Sequence, residues 1–121
     1  MPGSAIDRTA FADLLENVGG DRGFLAELVR TYVADSPLLF AELRAAIDAG
    51  DAATARRTAH SLKSTSASMG ALALSRLCRE METAATSGSV AGLAGSIDPA
   101  EAEYTRAVNE LARLASEGAD A

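Results

Sequence analysis

The chain has no tryptophan, and three Phe and two Tyr are its only aromatics, 4% of 121 residues. Any core must therefore be aliphatic, and a chain of this length buries roughly two thirds of the surface its unfolded form exposes. One domain spanning residues 1–121 is the simplest expectation. Proline occurs only at Pro2, Pro37 and Pro99, while alanine and leucine dominate, a balance that favours helix over sheet. The single cysteine, Cys78, excludes an intramolecular disulfide, and with one histidine in the chain it cannot build a zinc site. No apolar run approaches the roughly 20 residues of a membrane span. The start, "MPGSAIDRTAF", lacks the charged-then-apolar pattern of a secretory signal. A cytoplasmic protein that binds no membrane is expected. The net charge of −6 argues against nucleic acid as a partner. The one glycine-rich stretch, "SGSVAGLAGS", lacks the Gly-Lys-Ser/Thr ending of a phosphate loop. No bound cofactor, no metal and no kinase active site are expected.

The remaining signals are helical, and their punctuation predicts six helices. Asp7 suits an N-cap, with Ile6 placed to staple onto Phe11, and Gly19-Gly20 stops the first helix. Asp21 caps a second, carrying Phe24, Leu25, Leu28, Val29 and Tyr32 at helical spacing. Ser36-Pro37 reads either as an N-cap and first-turn proline opening a third helix, or as a kink in one longer helix. Leu39, Phe40, Leu43 and Ile47 lie along one side of that segment. Gly50-Asp51 is a further stop and cap, and the helix that follows runs to Met69, closed by Gly70 at a left-handed position. Leu74, Leu77, Cys78 and Met81 stripe a fifth helix, which fades into "TSGSVAGLAGS", a flexible connector. "DPAE" combines an N-cap (Asp98), a first-turn proline and a capping-box carboxylate (Glu101) for the last helix, with Tyr104, Val108, Leu111 and Ala115 inward. The expected fold is all-α: an antiparallel four-helix bundle with additional short N-terminal helices.

The only histidine, His60, lies in "ARRTAHSLKSTSASMGALAL", residues 55–74. With successive helical residues turned by about 100°, Ala55, Thr58, Leu62, Ser66 and Met69 share one side, the core face. Arg56, His60, Lys63, Ser64 and Ala67 share the other. His60 is about 140° or more from Leu62 and Met69, so it is exposed. A lone surface histidine is ordinarily just solvated. Here an ammonium at i+3 and a small hydroxyl at i+4 flank it, leaving an uncrowded platform around an imidazole. Between Ala52 and Arg79 there is no Asp or Glu, but there are Arg56, Arg57, Lys63, Arg76 and Arg79. A basic face on an acidic chain suits an anionic partner site.

"AHSLKSTSASMGA" resembles the signature of histidine-containing phosphotransfer (HPt) domains: His, any two residues, Lys, Gly or Ser, then an apolar residue and a Gly at the helix end. The likeness extends from the Gly19-Gly20 stop into the histidine helix, and "LSRLCREME" is similar to the family's next helix. It covers residues 6–90; beyond them the last helix matches only as a helix. The resemblance implies a four-helix bundle with an exposed phosphoacceptor, His60. It would take a phosphoryl group from a receiver-domain aspartyl phosphate and pass it to another receiver aspartate. Lys63 would meet the phosphoryl oxygens. Ser64 stands where many members have Gly, Gly70 matches the helix-ending Gly, and Glu82 falls where members often carry Gln or Glu, to support Lys63 or the imidazole. The partners implied are receiver domains of response regulators or of a hybrid histidine kinase, each supplying its own Mg2+. They would dock on Arg56, Arg57, Ser64 and Ala67.

So spare a site is chemically sufficient. A neutral imidazole is nucleophilic near pH 7 without a separate base. Phosphoryl transfer needs positioning and charge neutralisation more than covalent help. Nε2, reaching furthest from the helix, is the expected attacking atom. The competing reading is a helical adaptor that binds receivers without chemistry, and an intact His60 with Lys63 argues against it. An autonomous phosphatase or kinase would need a second catalytic cluster or a nucleotide loop. A free-standing monomer is expected.

Overall fold

The computed structural model describes residues 4–117. Its elements are α1 (Arg8–Asn17), α2 (Arg22–Ala49), α3 (Ala52–Ser68), α4 (Leu72–Thr86), a short 3-10 helix (Ala91–Gly95) and α5 (Ile97–Glu117), with no strand among the described residues. Three aspartates begin helices by the same device. Asp7 accepts from the Ala10 N–H at 2.8 Å, Asp21 from Phe24 at 3.0 Å and Asp51 from Thr54 at 3.1 Å. Each satisfies an amide that a helix start leaves without a partner.

The helix expected to open at Ser36-Pro37 does not exist as a separate element, because α2 runs unbroken through both residues. Ser36 caps nothing; its hydroxyl donates to the Tyr32 carbonyl one turn back at 2.7 Å. Pro37 has no N–H for the Val33 carbonyl, a loss that with ring crowding costs about 3 kcal/mol in a helix interior. That carbonyl instead lies 3.4 Å from the Tyr104 hydroxyl of α5, which donates to it. Apolar residues on both sides of the proline, Val29 and Tyr32 before it and Phe40 and Leu43 after it, enter one core. Shared burial carries the helix across. The short N-terminal helices thus reduce to one, α1, and Phe24 at the head of α2 is exposed rather than in the core.

Two further expectations are corrected. Residues 87–96 are not simply a connector: Val90 and Leu93 are buried, and a 3-10 turn forms around Leu93 where it packs on the end of the bundle. Two apolar residues in a Gly/Ser-rich stretch are enough to draw it down. The last helix begins at Ile97, one residue before the expected cap. Asp98 and Glu101 are both paired with Arg44 of α2. The core positions expected on α3 are all buried, joined by Ala59. On α4, Leu74, Cys78 and Met81 are buried and Leu77 is half-buried; burial pushes the Cys78 thiol up to about 12. On α5 the inward set is Ala100, Ala107, Leu111 and Leu114, with Tyr104, Val108 and Ala115 half-buried.

Cross-helix contacts give the topology. Tyr32 with Ser66 and Glu42 with Thr58 run α2 against α3 in opposite directions. Ser75 with Lys63 and Glu82 with His60 do the same for α3 and α4, and Tyr104 with Val33 and Glu101 with Arg44 for α5 and α2. The four long helices therefore form an antiparallel bundle in the order α2, α3, α4, α5, with α1 as an accessory.

The segment before α1 ties two ends of the bundle together. Buried Glu110 of α5 accepts from the Ser4 hydroxyl at 2.7 Å and from the N–H groups of Ile6 at 3.1 Å and Ala5 at 3.3 Å. Burial alone would raise its carboxyl; the Ser4 hydroxyl and these amides reverse that and hold it below the usual carboxylate range. The Asp7 N–H then donates to the Gly70 carbonyl at 2.8 Å, just past the end of α3. Gly70 is at φ +83°, where a Cβ would also reach 3.4 Å from the Asp7 carbonyl and the Phe11 nitrogen. Gly70→Ala is therefore expected to cost about 1–2 kcal/mol, the strain of a left-handed L-residue. Urea unfolding monitored by circular dichroism measures it, with an unchanged midpoint as the contrary result.

Candidate functional site

His60 lies on the solvent side of α3, its side chain 56% exposed. The residue types around it follow from how α3 and α4 meet. Their seam is the most extensive helix contact in the bundle, and Ala59 and Cys78 are small, fully buried side chains on these two helices. Such close packing brings Glu82 of α4 up beside the α3 surface. One oxygen of its carboxylate is 2.7 Å from His60 Nδ1 and the other 2.7 Å from Lys63 Nζ. Glu82 is 17% exposed and Lys63 28%, so this arrangement sits against the bundle with only the imidazole standing out. Ser75 donates to the Lys63 carbonyl at 2.9 Å, pinning α4 to α3 from the other side of the lysine.

The Lys63 ammonium, and after it the His60 ring, hold the Glu82 carboxyl below the usual carboxylate range, against the smaller opposing effect of burial. Glu82 is then ionised at neutral pH and can only accept hydrogen bonds. Nδ1 must be the donor, so a neutral His60 carries its proton there and its lone pair on Nε2. The geometry thus selects one tautomer of the imidazole. It also sets an ammonium one turn from the ring.

The other residues singled out by sequence fall into groups. Ser64 and Ala67 are exposed and small, continuing the His60 surface along α3. Arg56 and Arg57 are exposed a turn before His60, with Arg57 Nη2 3.4 Å from the Thr54 hydroxyl. Arg76 lies apart from them, lining a depression with Ser4, Asp7 and Arg8 at the start of α4. The basic residues therefore do not form one continuous face. Gly70 is structural in the way described above. No group of three or more His, Cys, Asp or Glu is placed to hold a metal ion among the described residues.

Sequence reasoning did not anticipate a groove of about 200 Å³ between α2 and α3, lined by Leu28, Tyr32, Asp35, Leu39, Thr65 and Met69 among others. Beside it on α2, Leu38 is 69% exposed. Two signals were available. "PLLF" places two leucines where the core needs only one helix face, and Lys63 is the only lysine among eleven basic residues.

A family model described as the Hpt domain matches residues 27–117. The chain belongs to the HPt family. It is similar, at 31% identity and a TM-score of 0.84, to the crystal structure of histidine-containing phosphotransfer protein B (HptB) from Pseudomonas aeruginosa PAO1. That match covers 93% of this chain and 96% of the other. The HPT domain of an Hpt sensor hybrid histidine kinase from Shewanella shares the fold at 21% identity and a TM-score of 0.73, over 94% of this chain and 96% of that one. No curated protein matches the chain. Its role is accordingly histidine phosphotransfer in a two-component phosphorelay, and HPt proteins are carriers rather than kinases. No helix among the described residues is long and apolar enough to cross a membrane.

The Glu82 bridge has a defined pH dependence. Because its folded-state pKa is depressed, its contribution is full above the ordinary glutamate value and is lost as pH falls through the depressed one. Nitrogen NMR of the His60 ring should show Nδ1 hydrogen-bonded throughout the mildly acidic range. The signature should disappear only below the usual carboxylate range. Its loss together with ordinary surface carboxylates would show that Lys63 does not hold Glu82 ionised.

Proposed function

We propose that this HPt protein relays phosphoryl groups between receiver domains through Nε2 of His60. The observation that carries the reading is the hydrogen bond from Nδ1 to Glu82, which leaves the nucleophilic lone pair on the exposed nitrogen. The Nε2 pair attacks phosphorus of a receiver aspartyl phosphate as the P–O bond to that aspartate breaks. A second receiver aspartate reverses the process. Lys63 supplies positive charge to the phosphoryl oxygens, exchanging its contact with Glu82 for them. Glu82 is a positioning residue, acting through the ring and the lysine.

In this reading the receiver brings the Mg2+, and the protein presents a low surface to it as a monomer in the cytoplasm. Ser64 and Ala67 let the receiver approach the imidazole, and the groove beside Leu38 offers it apolar area continuous with that platform. Arg56 and Arg57 complement an acidic phosphorylation site. The adaptor reading needs the same surface but gives no reason for a histidine held in one tautomer.

His60→Gln should abolish label transfer from a phosphorylated receiver while changing stability by about 0.5 kcal/mol or less, because the site is exposed. A labelled mutant would place the acceptor elsewhere. The steric requirement has its own test. Ser64→Tyr puts a ring one turn from the imidazole, and displacing the receiver by about 1 Å should slow transfer on the order of 100-fold. The same protein should fold normally and accept phosphoryl from phosphoramidate, which is small. Ser66→Tyr, by contrast, fills a fully buried position that holds the Tyr32 hydroxyl at 2.7 Å, and should destabilise the bundle by about 1–3 kcal/mol. Receiver transfer by Ser64→Tyr at the wild-type rate would remove this face from docking.

A further inference from the structure

We propose that Glu82 keeps the Nδ1 proton on the His60 ring throughout the transfer cycle, so that phospho-His60 is held as an imidazolium and donates without first acquiring a proton. This inference rests on the reading of His60 as the phosphoacceptor and concerns its donor half-reaction. When Nε2 uses its lone pair to form the N–P bond, the ring still carrying Nδ1–H becomes cationic. If that proton were lost, later P–N cleavage would have to return its electron pair to an imidazolate, a poor leaving group. If it is kept, the pair returns to Nε2 as the receiver carboxylate forms the new P–O bond. The ring then leaves as the neutral Nδ1–H imidazole from which the cycle began. No proton moves in either direction.

The carboxylate is placed to enforce this. Glu82 sits 2.7 Å from Nδ1, is mostly shielded from water, and is anchored from its other oxygen by Lys63. A negative charge at this distance favours the charged ring, where a neutral amide would offer a hydrogen bond but no compensating charge. The other charged groups around α3 are more distant contributors: Arg56 and Arg57 on α3 itself, Arg79 a turn before Glu82 on α4, and Asp35 and Glu42 on the α2 side, Glu42 being engaged by Thr58. Of these, Lys63 opposes the ring's charge, and the bound phosphoryl dianion adds to the effect of Glu82.

The experiment loads the intact protein with phosphoramidate, which needs no receiver, and follows ring protonation against pH by phosphorus and nitrogen NMR. In the wild type the phosphorylated ring should be protonated at neutral pH. In Glu82→Gln the midpoint should fall by about 1–3 pH units, the range for removing an adjacent opposite charge. Lys63→Met should move it upward, a sign that a merely structural disturbance would not produce. Chase into a receiver should slow in Glu82→Gln in step with the deprotonated fraction and recover as pH is lowered. A wild-type ring already deprotonated at neutral pH overturns the inference by itself, even if Glu82→Gln failed to fold. Equal midpoints in wild type and Glu82→Gln also overturn it, as would a wild type that phosphoramidate cannot label. A wild type with the expected titration that exchanges nothing with any receiver would instead overturn the relay reading and leave the ring-charge inference standing.

Discussion

A single carboxylate joins the two helices that make the site. Glu82 gives one oxygen to His60 and the other to Lys63, so the position of α4 relative to α3 decides the tautomer of the imidazole and the resting place of the ammonium. A slide of α4 along α3 by one residue would move Glu82 about 1.5 Å, enough to break both contacts. Much of the remaining fold serves to prevent that slide. Ala59 and Cys78 let the helices approach, Ser75 ties α4 to the Lys63 carbonyl, and Gly70 turns the chain tightly between them.

The supports lie at a distance from the chemistry. The segment from Ser4 to Asp7 is held by buried Glu110 at one end and by the Gly70 carbonyl at the other, so α5 and the end of α3 are fastened through a short piece of extended chain. On the opposite side, Pro37 would weaken α2 where it flanks the histidine helix. Tyr104 covers the carbonyl the proline leaves open, and packs its ring near Tyr32 and Phe40 at centroid distances of 5.7 and 5.4 Å. Aromatic residues are scarce in this chain, and three of its five meet at this point. The exposed side of α3 needs no such supports. Its residues are small or solvated, which suits a surface that must meet successive partners without holding either tightly.

Most helix starts were legible because they are local events. Asp7, Asp21 and Asp51 each bond an amide three residues on, and the sequence spacing states that contact directly. The exposed placement of His60, Ser64 and Ala67 was legible for a similar reason, since the rotation per residue along one helix depends on nothing outside it. Where local signals misled, a partner from elsewhere had taken the group. Ser36-Pro37 has the form of a helix start, but Tyr104 and a shared core keep α2 whole. Asp98 and Glu101 have the form of a cap and capping box, but Arg44 pairs with both. Val90 and Leu93 were hidden in a linker-like composition until the end of the bundle gave them something to pack on.

The sequence by itself determined the helical class, the caps, the core stripe of α3 and the identity of the exposed histidine with its lysine. These depend on composition and on periodicity within single helices. Only the tertiary structure decided that α2 is one helix, that the groove beside Leu38 adjoins the histidine platform, that Arg76 lies apart from Arg56 and Arg57, and that Glu110 holds the N-terminal segment. It also decided that Glu82 reaches both His60 and Lys63. The physical reason is separation along the chain: each of these contacts joins different elements, and its distance depends on how two helices are rotated and displaced against one another, which no spacing within either helix records.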